Sequence, residues 1–426
     1  MKGLAICSKG TEDITALEIK EFINSKAEIK DGCVIFNIKK QEDLCLLCYK
    51  AQSVDRILFL FDNFEFRNND VSEIIPPNKI SGLETPSTTR SGMISDHVKN
   101  HPVKGGASKI CHPPQKVVFN DLSEKIKEAV NKIELNEWLG KNKKFRVSSE
   151  IINNSISSAE LNENVGEIIF NKFKNKVSLE NPDLIFFVFI NENSCYLGID
   201  FAGFELKKRQ YRIFTHAAAL RATIAYSLVR IADYKEDEIL LDAFTGSGTI
   251  PTESALFISG FPVNYYNKEK FAFLKFKGIK FDFNKEDKKI KKEKKPKIFG
   301  YDSFLGCITN AKKNAKIAGI EKFINFARVD VEWLDTKFGK GKVDRIASNP
   351  PVLSKNKNEK DIEKLYNEFF YQAEFILNDK GKIVLITNEN SLGLLKKAAE
   401  KNKFKITEKR NVMHGKEEKV VVVFGK

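Results

Sequence analysis

Two kinds of apolar pattern divide the chain. Over residues 1–65, apolar positions at helical spacing alternate with short apolar runs, which predicts a small α/β unit. Residues 116–205 have a similar texture. A helix is predicted at about 158–174, and the apolar runs 184–190 and 194–200 predict two paired strands, because only a short polar turn separates them.

From about residue 206 the pattern becomes a regular alternation of apolar strands and amphipathic helices. Such alternation predicts a doubly wound α/β domain with a mostly parallel sheet, here ending in an antiparallel pair of strands. The predicted strands are 238–242, 297–301, 324–329, 343–347, 382–387, 403–408 and 418–424. Right-handed crossovers place the functional loops at the carboxyl ends of such strands.

Residues 66–115 interrupt both patterns. The part from 81 to 113 contains no Phe, Tyr or Trp and several glycines and prolines, which predicts a flexible insert or linker. This part also contains four residues of metal-binding type, namely His97, His101, Cys111 and His112. Their spacing matches no standard zinc site, so we expect no bound metal.

Composition and charge narrow the class of partner. The chain has 71 Lys and Arg against 57 Asp and Glu, a net charge of +14. A basic balance favours a polyanion such as nucleic acid, although lysine-rich surfaces also keep proteins in solution. There is no apolar run of membrane-spanning length and no recognisable signal peptide. The seven scattered cysteines favour reduced thiols, so we expect a cytoplasmic protein, taken to be a monomer.

The most informative segment joins an acidic strand end to a glycine-rich turn. Asp242 ends an apolar strand, and the turn after it consists of Phe244, Thr245, Gly246, Ser247, Gly248 and Thr249. Glycines allow a backbone to approach a ligand closely. Pro251 occupies the third glycine position of a dinucleotide site, which argues against a nicotinamide cofactor. Asp242 suits a cationic ligand such as the α-amino group of a sulfonium amino acid.

Two further acids follow later strands. Asp302, after the strand 297–301, is placed either to accept hydrogen bonds from ribose hydroxyls or to cap the next helix. Asp330 follows the strand 324–329 and precedes Val331. Its order in the chain makes it a candidate acceptor for an adenine amino group.

A strand that ends in an amide and two prolines is the candidate site of chemistry. Asn349 precedes Pro350, Pro351 and Val352. The prolines stiffen the backbone, so the Asn349 side-chain oxygen and the Pro350 carbonyl can accept hydrogen bonds from one exocyclic amine of a base. This would favour a tetrahedral nitrogen with its lone pair aimed at a methyl group, and positioning would supply much of the rate. The alternative is a simple loop after a strand.

These motifs together resemble RNA methylases that carry a THUMP domain. The segments 242–250 and 348–351 are similar to the cofactor and acceptor motifs of that family. The segment 211–225 is similar to the one before their cofactor fold. Residues 145–206 resemble the later part of a THUMP domain, and 1–65 the ferredoxin-like unit that accompanies it.

The resemblance implies a class I (Rossmann-like) S-adenosylmethionine methyltransferase fold behind an N-terminal α+β region. The implied domains are ferredoxin-like over 1–65, an insert over 66–115, THUMP over 116–205 and methyltransferase over 206–426. Within the family, the similarity is to the tRNA guanine-N2 methyltransferases acting at position 6 of the acceptor stem. Alternatives are methylation of a ribosomal RNA guanine or of adenine N6, and a catalytically weak RNA-binding protein.

The resemblance also assigns site residues. S-adenosylmethionine would be lined by Thr215, His216, Asp242, Phe244, Thr245, Gly246, Ser247, Gly248, Thr249, Asp302, Asp330, Val331 and Asn349. The guanine amino group would be held by the segment from Asn349 to Pro351. Val352 stands where the family usually has an aromatic residue that stacks on the flipped base, so it offers contact without ring stacking.

Two basic segments are candidates for RNA contact. THUMP domains often have a basic residue just after the Phe-x-Val strand, but Ser148, Ser149 and Glu150 follow it here. Contact is therefore expected from Lys141, Lys143, Lys144 and Arg146. Residues 285–297 carry eight lysines against three acids and form either a solvated loop or a phosphate contact beside the active site. We call four of these residues the lysine cluster: Lys291, Lys292, Lys294 and Lys295.

Overall fold

Two β-sheets organise the molecule, one in each half of the chain. The computed structural model describes residues 1–67, 118–134, 138, 142–215, 219–291, 297–354 and 358–426. Apart from residues 66 and 67, the predicted insert lies outside these ranges, and so do its four residues of metal-binding type. His216 also lies outside them. No helix in the described ranges is long and apolar enough to cross a membrane.

Within the described residues, the first half forms an eight-stranded mixed sheet. Its elements are β1 (Lys2–Cys7), α1 (Glu12–Ile23), β2 (Ala27–Lys30), β3 (Cys33–Asn37), α2 (Glu42–Lys50), β4 (Val54–Glu65), α3 (Val118–Lys132), β5 (Lys144–Ile152), α4 (Ser158–Phe173), β6 (Lys176–Val177), β7 (Leu184–Asn191) and β8 (Ser194–Asp200). The strand order is β2-β3-β1-β4-β8-β7-β5-β6. Because β4 pairs antiparallel with β8, the two predicted N-terminal units share one continuous sheet.

The apolar run of β7 is buried on both of its faces. Phe186, Val188 and Ile190 belong to the large core of the first half. Phe187 and Phe189 point to the other face, where a smaller apolar cluster forms. Burial on both faces explains why this strand reads as a continuous apolar run rather than an alternating one. The prediction that β7 and β8 are paired strands is confirmed.

The second half forms a seven-stranded sheet within the described residues. Its elements are α5 (Ala222–Ile231), β9 (Leu240–Asp242), α6 (Thr249–Ser259), α7 (Phe283–Asp287), β10 (Ile298–Asp302), α8 (Leu305–Ala318), β11 (Ile324–Arg328), β12 (Val343–Ser348), α9 (Glu359–Ile376), β13 (Leu377–Thr387), α10 (Glu389–Lys401), β14 (Lys405–His414) and β15 (Glu417–Gly425). The order is β11-β10-β9-β12-β13-β15-β14. The pairs from β11 to β13 are parallel, and β15 is antiparallel to both of its neighbours. The predicted doubly wound sheet with a final antiparallel pair is confirmed.

The segment between α6 and β10 packs against the first half of the chain. Phe271, Phe273 and Phe276 belong to the core of the first sheet. The backbone N–H of Ala272 also donates to the Ala202 carbonyl at 2.9 Å. The predicted domain boundaries remain predictions, and this packing crosses the one placed at residues 205/206. The start of the predicted 285–297 loop is helical, since α7 extends into it.

A buried charged network joins the two halves. Arg209 and Glu253, with side chains 1% and 0% exposed, form an ion pair with Nε and Oε1 3.1 Å apart. Gln52 from the first half donates to the other Glu253 oxygen at 2.7 Å, and the Tyr211 hydroxyl donates to Oε1 at 2.7 Å. Breaking a buried ion pair by removing one partner is costly, because the other charge is left without compensation. The Gln52 hydrogen bond therefore ties this buried pair of the second half to the first half.

Candidate active site

The strand order of the second sheet reverses between β9 and β12, and ligands of such sheets bind at that point, beyond the carboxyl ends of the strands. A cavity of about 660 Å³ lies there. The predicted site residues that line it are Asp242, Phe244, Thr245, Gly246, Ser247, Thr249, Asp302, Asp330, Val331, Asn349, Pro350, Pro351 and Val352. Two predictions fall outside this lining. Gly248 shapes the turn without lining the cavity, and Thr215 is exposed and is not part of the lining.

The glycine-rich turn depends on Gly248. This residue has φ +80°, a left-handed conformation that side chains disfavour. A Cβ atom at this position would also come within 2.7 Å of the Ala311 Cβ atom in α8. The Gly248 N–H donates to the Thr245 carbonyl at 2.8 Å, and the Thr245 N–H donates to Tyr301 of β10 at 2.9 Å. The turn is therefore packed tightly between β10 and α8.

Asp242 is held inside the protein at the end of β9. Its carboxylate is 1% exposed and accepts hydrogen bonds from the Ser348 hydroxyl at 2.7 Å and from the Phe244 N–H at 3.3 Å. The Ser348 oxygen in turn accepts from the Ala243 N–H at 2.9 Å, which ties β9 to β12. Burial raises the pKa of Asp242 to about 7, against the opposing effect of the Ser348 and Phe244 hydrogen bonds.

Asp302 is oriented by the backbone of its neighbours. One carboxylate oxygen accepts from the Gly246 N–H at 2.9 Å and the other from the Phe304 N–H at 3.0 Å. Helix α8 has Phe304, not Asp302, at its N-cap, so the capping interpretation is wrong. A carboxylate oxygen has more than one acceptor site, so Asp302 keeps capacity for ribose hydroxyls. Asp330 is exposed at the cavity, and Val331 is buried beside it.

The segment after β12 is clamped by the helices that follow it. The Tyr366 hydroxyl of α9 donates to the Pro351 carbonyl at 2.7 Å. The Ser391 hydroxyl of α10 accepts from the Leu353 N–H at 2.8 Å. Asn349 is half-buried and faces the same cavity as the glycine-rich turn. Most of the predicted cofactor residues and the predicted acceptor segment therefore line one cavity.

Sequence reasoning missed several residues of the cavity lining. They include Leu220, Phe304, Cys307, Thr387, His414, Glu417 and Lys419. Phe304 is 71% exposed. It lies two residues after the predicted acid Asp302, so its position in the chain could have indicated that it lines the cavity. The His414-Gly415 pair lies between the last two predicted strands, but a role in the cavity was not apparent. Glu417 and Lys419 carried no signal at all.

The predicted RNA contacts remain predictions, and the structure shows only how the described residues among them are placed. Lys144 is exposed, whereas Lys143 lies 3.8 Å from a carboxylate oxygen of Asp183. Arg146 donates to the Leu179 carbonyl at 3.2 Å. Lys291 is paired with a glutamate of the loop before β9. Outside the described residues lie Lys141, Lys292, Lys294 and Lys295.

The lining suits S-adenosylmethionine in its chemistry. Asp302 offers acceptors for the ribose, Val331 offers an apolar surface for the adenine, and the buried Asp242 suits a cationic group. Among the described residues, no group of three or more His, Cys, Asp or Glu is arranged to hold a metal ion. The sheet order, the glycine-rich turn after β9 and the Asn-Pro-Pro segment after β12 define a class I methyltransferase that uses S-adenosylmethionine.

Comparison with known proteins narrows the class to a family. Residues 123–200 match the THUMP domain, and residues 209–419 match the RMKL-like methyltransferase domain. A tRNA (guanine(6)-N2)-methyltransferase of Methanocaldococcus jannaschii is 35% identical, over 70% of this chain and 79% of that protein. The protein of the same name in Archaeoglobus fulgidus is 30% identical, over 65% and 68%. The chain belongs to the family of THUMP-domain RNA methyltransferases that includes these enzymes.

More distant matches agree in fold. The ribosomal RNA large subunit methyltransferase K/L of Buchnera aphidicola is 26% identical, but this chain spans only 39% of it. TrmN from Thermus thermophilus is 20% identical with a TM-score of 0.64, covering 100% of this chain and 99% of its own. SMU.472, solved in complex with SAH, is 17% identical with a TM-score of 0.71, covering 100% and 98%. At these identities the two structures support the fold alone.

Proposed function

We propose that this protein methylates N2 of a guanine in tRNA, with position 6 of the acceptor stem as the preferred target. The observation that carries the proposal is the shared cavity, in which the Asn349–Pro351 segment faces the cofactor turn. The names of the two archaeal relatives support the choice of tRNA and guanine N2. A cytoplasmic location follows from such a substrate.

The chain's own residues would act by positioning. S-adenosylmethionine supplies an electrophilic methyl group on a positively charged sulfur. Asn349 would accept a hydrogen bond from the guanine N2 amine and turn its lone pair toward that methyl group. When bound, the cofactor would supply the methyl group that N2 takes up, and N2 would release one proton to water. Tyr366 contributes by fixing Pro351, and therefore the direction of the Asn349 side chain.

The N-terminal half would hold the RNA. Its THUMP region contains the exposed Lys144 and the half-buried Arg146, and contacts from such residues to phosphates set register without reading bases. A guanine of ribosomal RNA is the second candidate target, because the Buchnera relative acts on ribosomal RNA according to its name. Its lower identity and coverage place it behind tRNA.

Nucleoside analysis tests the proposal directly. Purified protein, S-adenosylmethionine and tRNA transcripts should give N2-methylguanosine at position 6, detected by mass spectrometry. Asn349→Ala should lower the rate by on the order of 10²–10³ while leaving cofactor affinity largely intact, because the hydrogen bond that is lost is the one to the reacting amine. Asn325→Ala is the matched control, since Asn325 is exposed in β11 and does not line the cavity.

Three results would contradict the proposal. One is N6-methyladenosine as the product, which would change the acceptor base. Another is methylation of ribosomal RNA in preference to every tRNA. The third is wild-type turnover by Asn349→Ala, which would leave the amide with a structural role only.

A further inference from the structure

The hairpin of β14 and β15 contributes a charged part of the cavity lining. His414, Glu417 and Lys419 line the same cavity as Asn349. His414 lies directly across from Glu417 in the antiparallel pair. Glu417 and Lys419 are two residues apart in one strand, so their side chains project from the same face. The acceptor segment and a charged hairpin face therefore border one space.

Glu417 and Lys419 form a pair with distinct exposures. The Lys419 ammonium lies 2.6 Å from a Glu417 oxygen, and the side chains are 19% and 59% exposed, respectively. The lysine side chain is therefore largely buried, while more than half of the glutamate side chain stays accessible. Side by side, the two groups present one hydrogen-bond acceptor and one donor.

The hairpin tip is docked onto the start of α5. The backbone N–H of Arg221 donates to His414 Nε2 at 3.1 Å. Gly415 has φ +75°, and a Cβ atom there would come within 3.0 Å of an Arg221 guanidinium nitrogen. Burial and the Arg221 charge lower the pKa of His414, which keeps Nε2 available as an acceptor. This docking fixes the hairpin that carries the charged pair.

Three bases carry an exocyclic amine, and only one matches this pair. In guanine, the ring nitrogen next to the amine bears a hydrogen and therefore donates, and O6 beyond it accepts. In adenine and cytosine, the ring nitrogen next to the amine has a lone pair. A carboxylate that meets this position is attracted by guanine and repelled by the other two, which is discrimination by repulsion as well as attraction.

We propose that Glu417 and Lys419 read the Watson–Crick edge of the acceptor base, so that the site selects guanine over adenine and cytosine. Glu417 accepts from guanine N1–H, and Lys419 donates to O6, while Asn349 holds the N2 amine. The inference rests on the proposed function, since it concerns the base methylated at that site. The inference assigns the selectivity for guanine to two side chains.

The test uses a base analogue that keeps the amine and reverses the edge. In tRNA, the methylated guanosine is replaced by 2,6-diaminopurine riboside, which retains the 2-amino group but has a lone pair on N1 and a donor at position 6. Wild-type kcat/KM should fall about ten- to a hundredfold, the range expected for one hydrogen bond to a charged group. The wild-type ratio of kcat/KM for the guanosine tRNA to kcat/KM for the diaminopurine tRNA is therefore expected to be about ten to a hundred. Glu417→Gln should lower this ratio by about tenfold, because the glutamine amide can also donate a hydrogen bond to N1.

Glu418→Gln is the control variant. Glu418 is exposed, pairs across from Met413 and does not line the cavity, so the wild-type ratio should persist. Guanosine methylation with an unchanged ratio in Glu417→Gln would overturn the inference and leave the proposed function intact. Failure of the wild-type protein to methylate any guanosine would overturn both the inference and the proposed function. The measurement on the guanosine tRNA alone would reveal this failure.

Discussion

Cofactor affinity should depend on pH near neutrality because of the buried Asp242 carboxyl. Burial raises its pKa to about 7, so near that pH about half of the molecules carry the neutral acid. A cationic group of the cofactor beside Asp242 favours the charged carboxylate. Binding at neutral pH should therefore release about half a proton per molecule on average, and affinity should rise as the pH increases through 7.

The size of the effect follows from the same pKa. With a pKa of about 7, roughly a tenth of the carboxyls are ionised at pH 6 and roughly nine tenths at pH 8. If the ionised form is required, affinity for S-adenosylmethionine should increase about tenfold between these values. Titration calorimetry in two buffers of different ionisation enthalpy measures both the affinity and the number of protons released.

Asp242→Asn provides the control, since an amide does not titrate. Its affinity should be lower at pH 8 and independent of pH. The stability of the folded wild-type protein, unlike its cofactor affinity, should decrease as the pH rises. A folded pKa raised above the ordinary value near 4 means that the folded protein holds an extra proton between about pH 4 and 7, so this contribution to stability is lost as the pH rises through that window. Wild-type affinity that is constant from pH 6 to 8, without proton release, would refute the role given to Asp242.

Three further predictions concern the acceptor pocket, RNA binding and the contact between the two halves. Val352→Tyr should preserve or raise kcat/KM on guanosine, because base–aromatic stacking is worth about 1–3 kcal/mol; a sharp loss would mean that the pocket requires a small side chain. Changing the lysine cluster to alanine should raise KM for tRNA more than it lowers kcat, and should reduce the salt slope of binding by about one unit per phosphate contact; an identical slope would exclude contact with RNA. Glu253→Gln should lower the free energy of unfolding by about 3–5 kcal/mol in denaturant titrations, because Arg209 stays buried without its partner; an unchanged value would contradict the importance of this pair.

The sequence predicted the catalytic half well because its signals are local. Each strand of the second sheet is a short apolar run, and the acids and amide that follow these runs lie at one edge by the geometry of parallel sheets. Asp242, Asp302 and Asn349 therefore reach one cavity, as predicted. The same reasoning left the role of Asp302 open, because an acidic residue at this position suits both hydrogen bonding to a ribose and capping of a helix. Only the position of Phe304 at the N-cap separates them.

Other features depend on contacts that no local pattern encodes. The pairing of β4 with β8 joins strands that are more than a hundred residues apart, so the continuous first sheet was not predictable from periodicity. The aromatic segment around Phe271 and Phe273 looks like part of the second half but fills the core of the first. Glu417 and Lys419 resemble any solvated hairpin pair until the fold places them beside Asn349.

The contact between the two halves bears on how a single guanine would be chosen. Glu417 and Lys419 would select guanine but not its position, and the phosphate contacts proposed for the N-terminal half would carry no base information. On this proposal, the position would be set by the distance between the proposed RNA contacts and Asn349. The hydrogen bond from Gln52 to Glu253 and the shared aromatic core connect the two halves and would hold that distance. We therefore expect that weakening the contact between the halves would broaden the methylated positions along the tRNA before it abolishes methyl transfer.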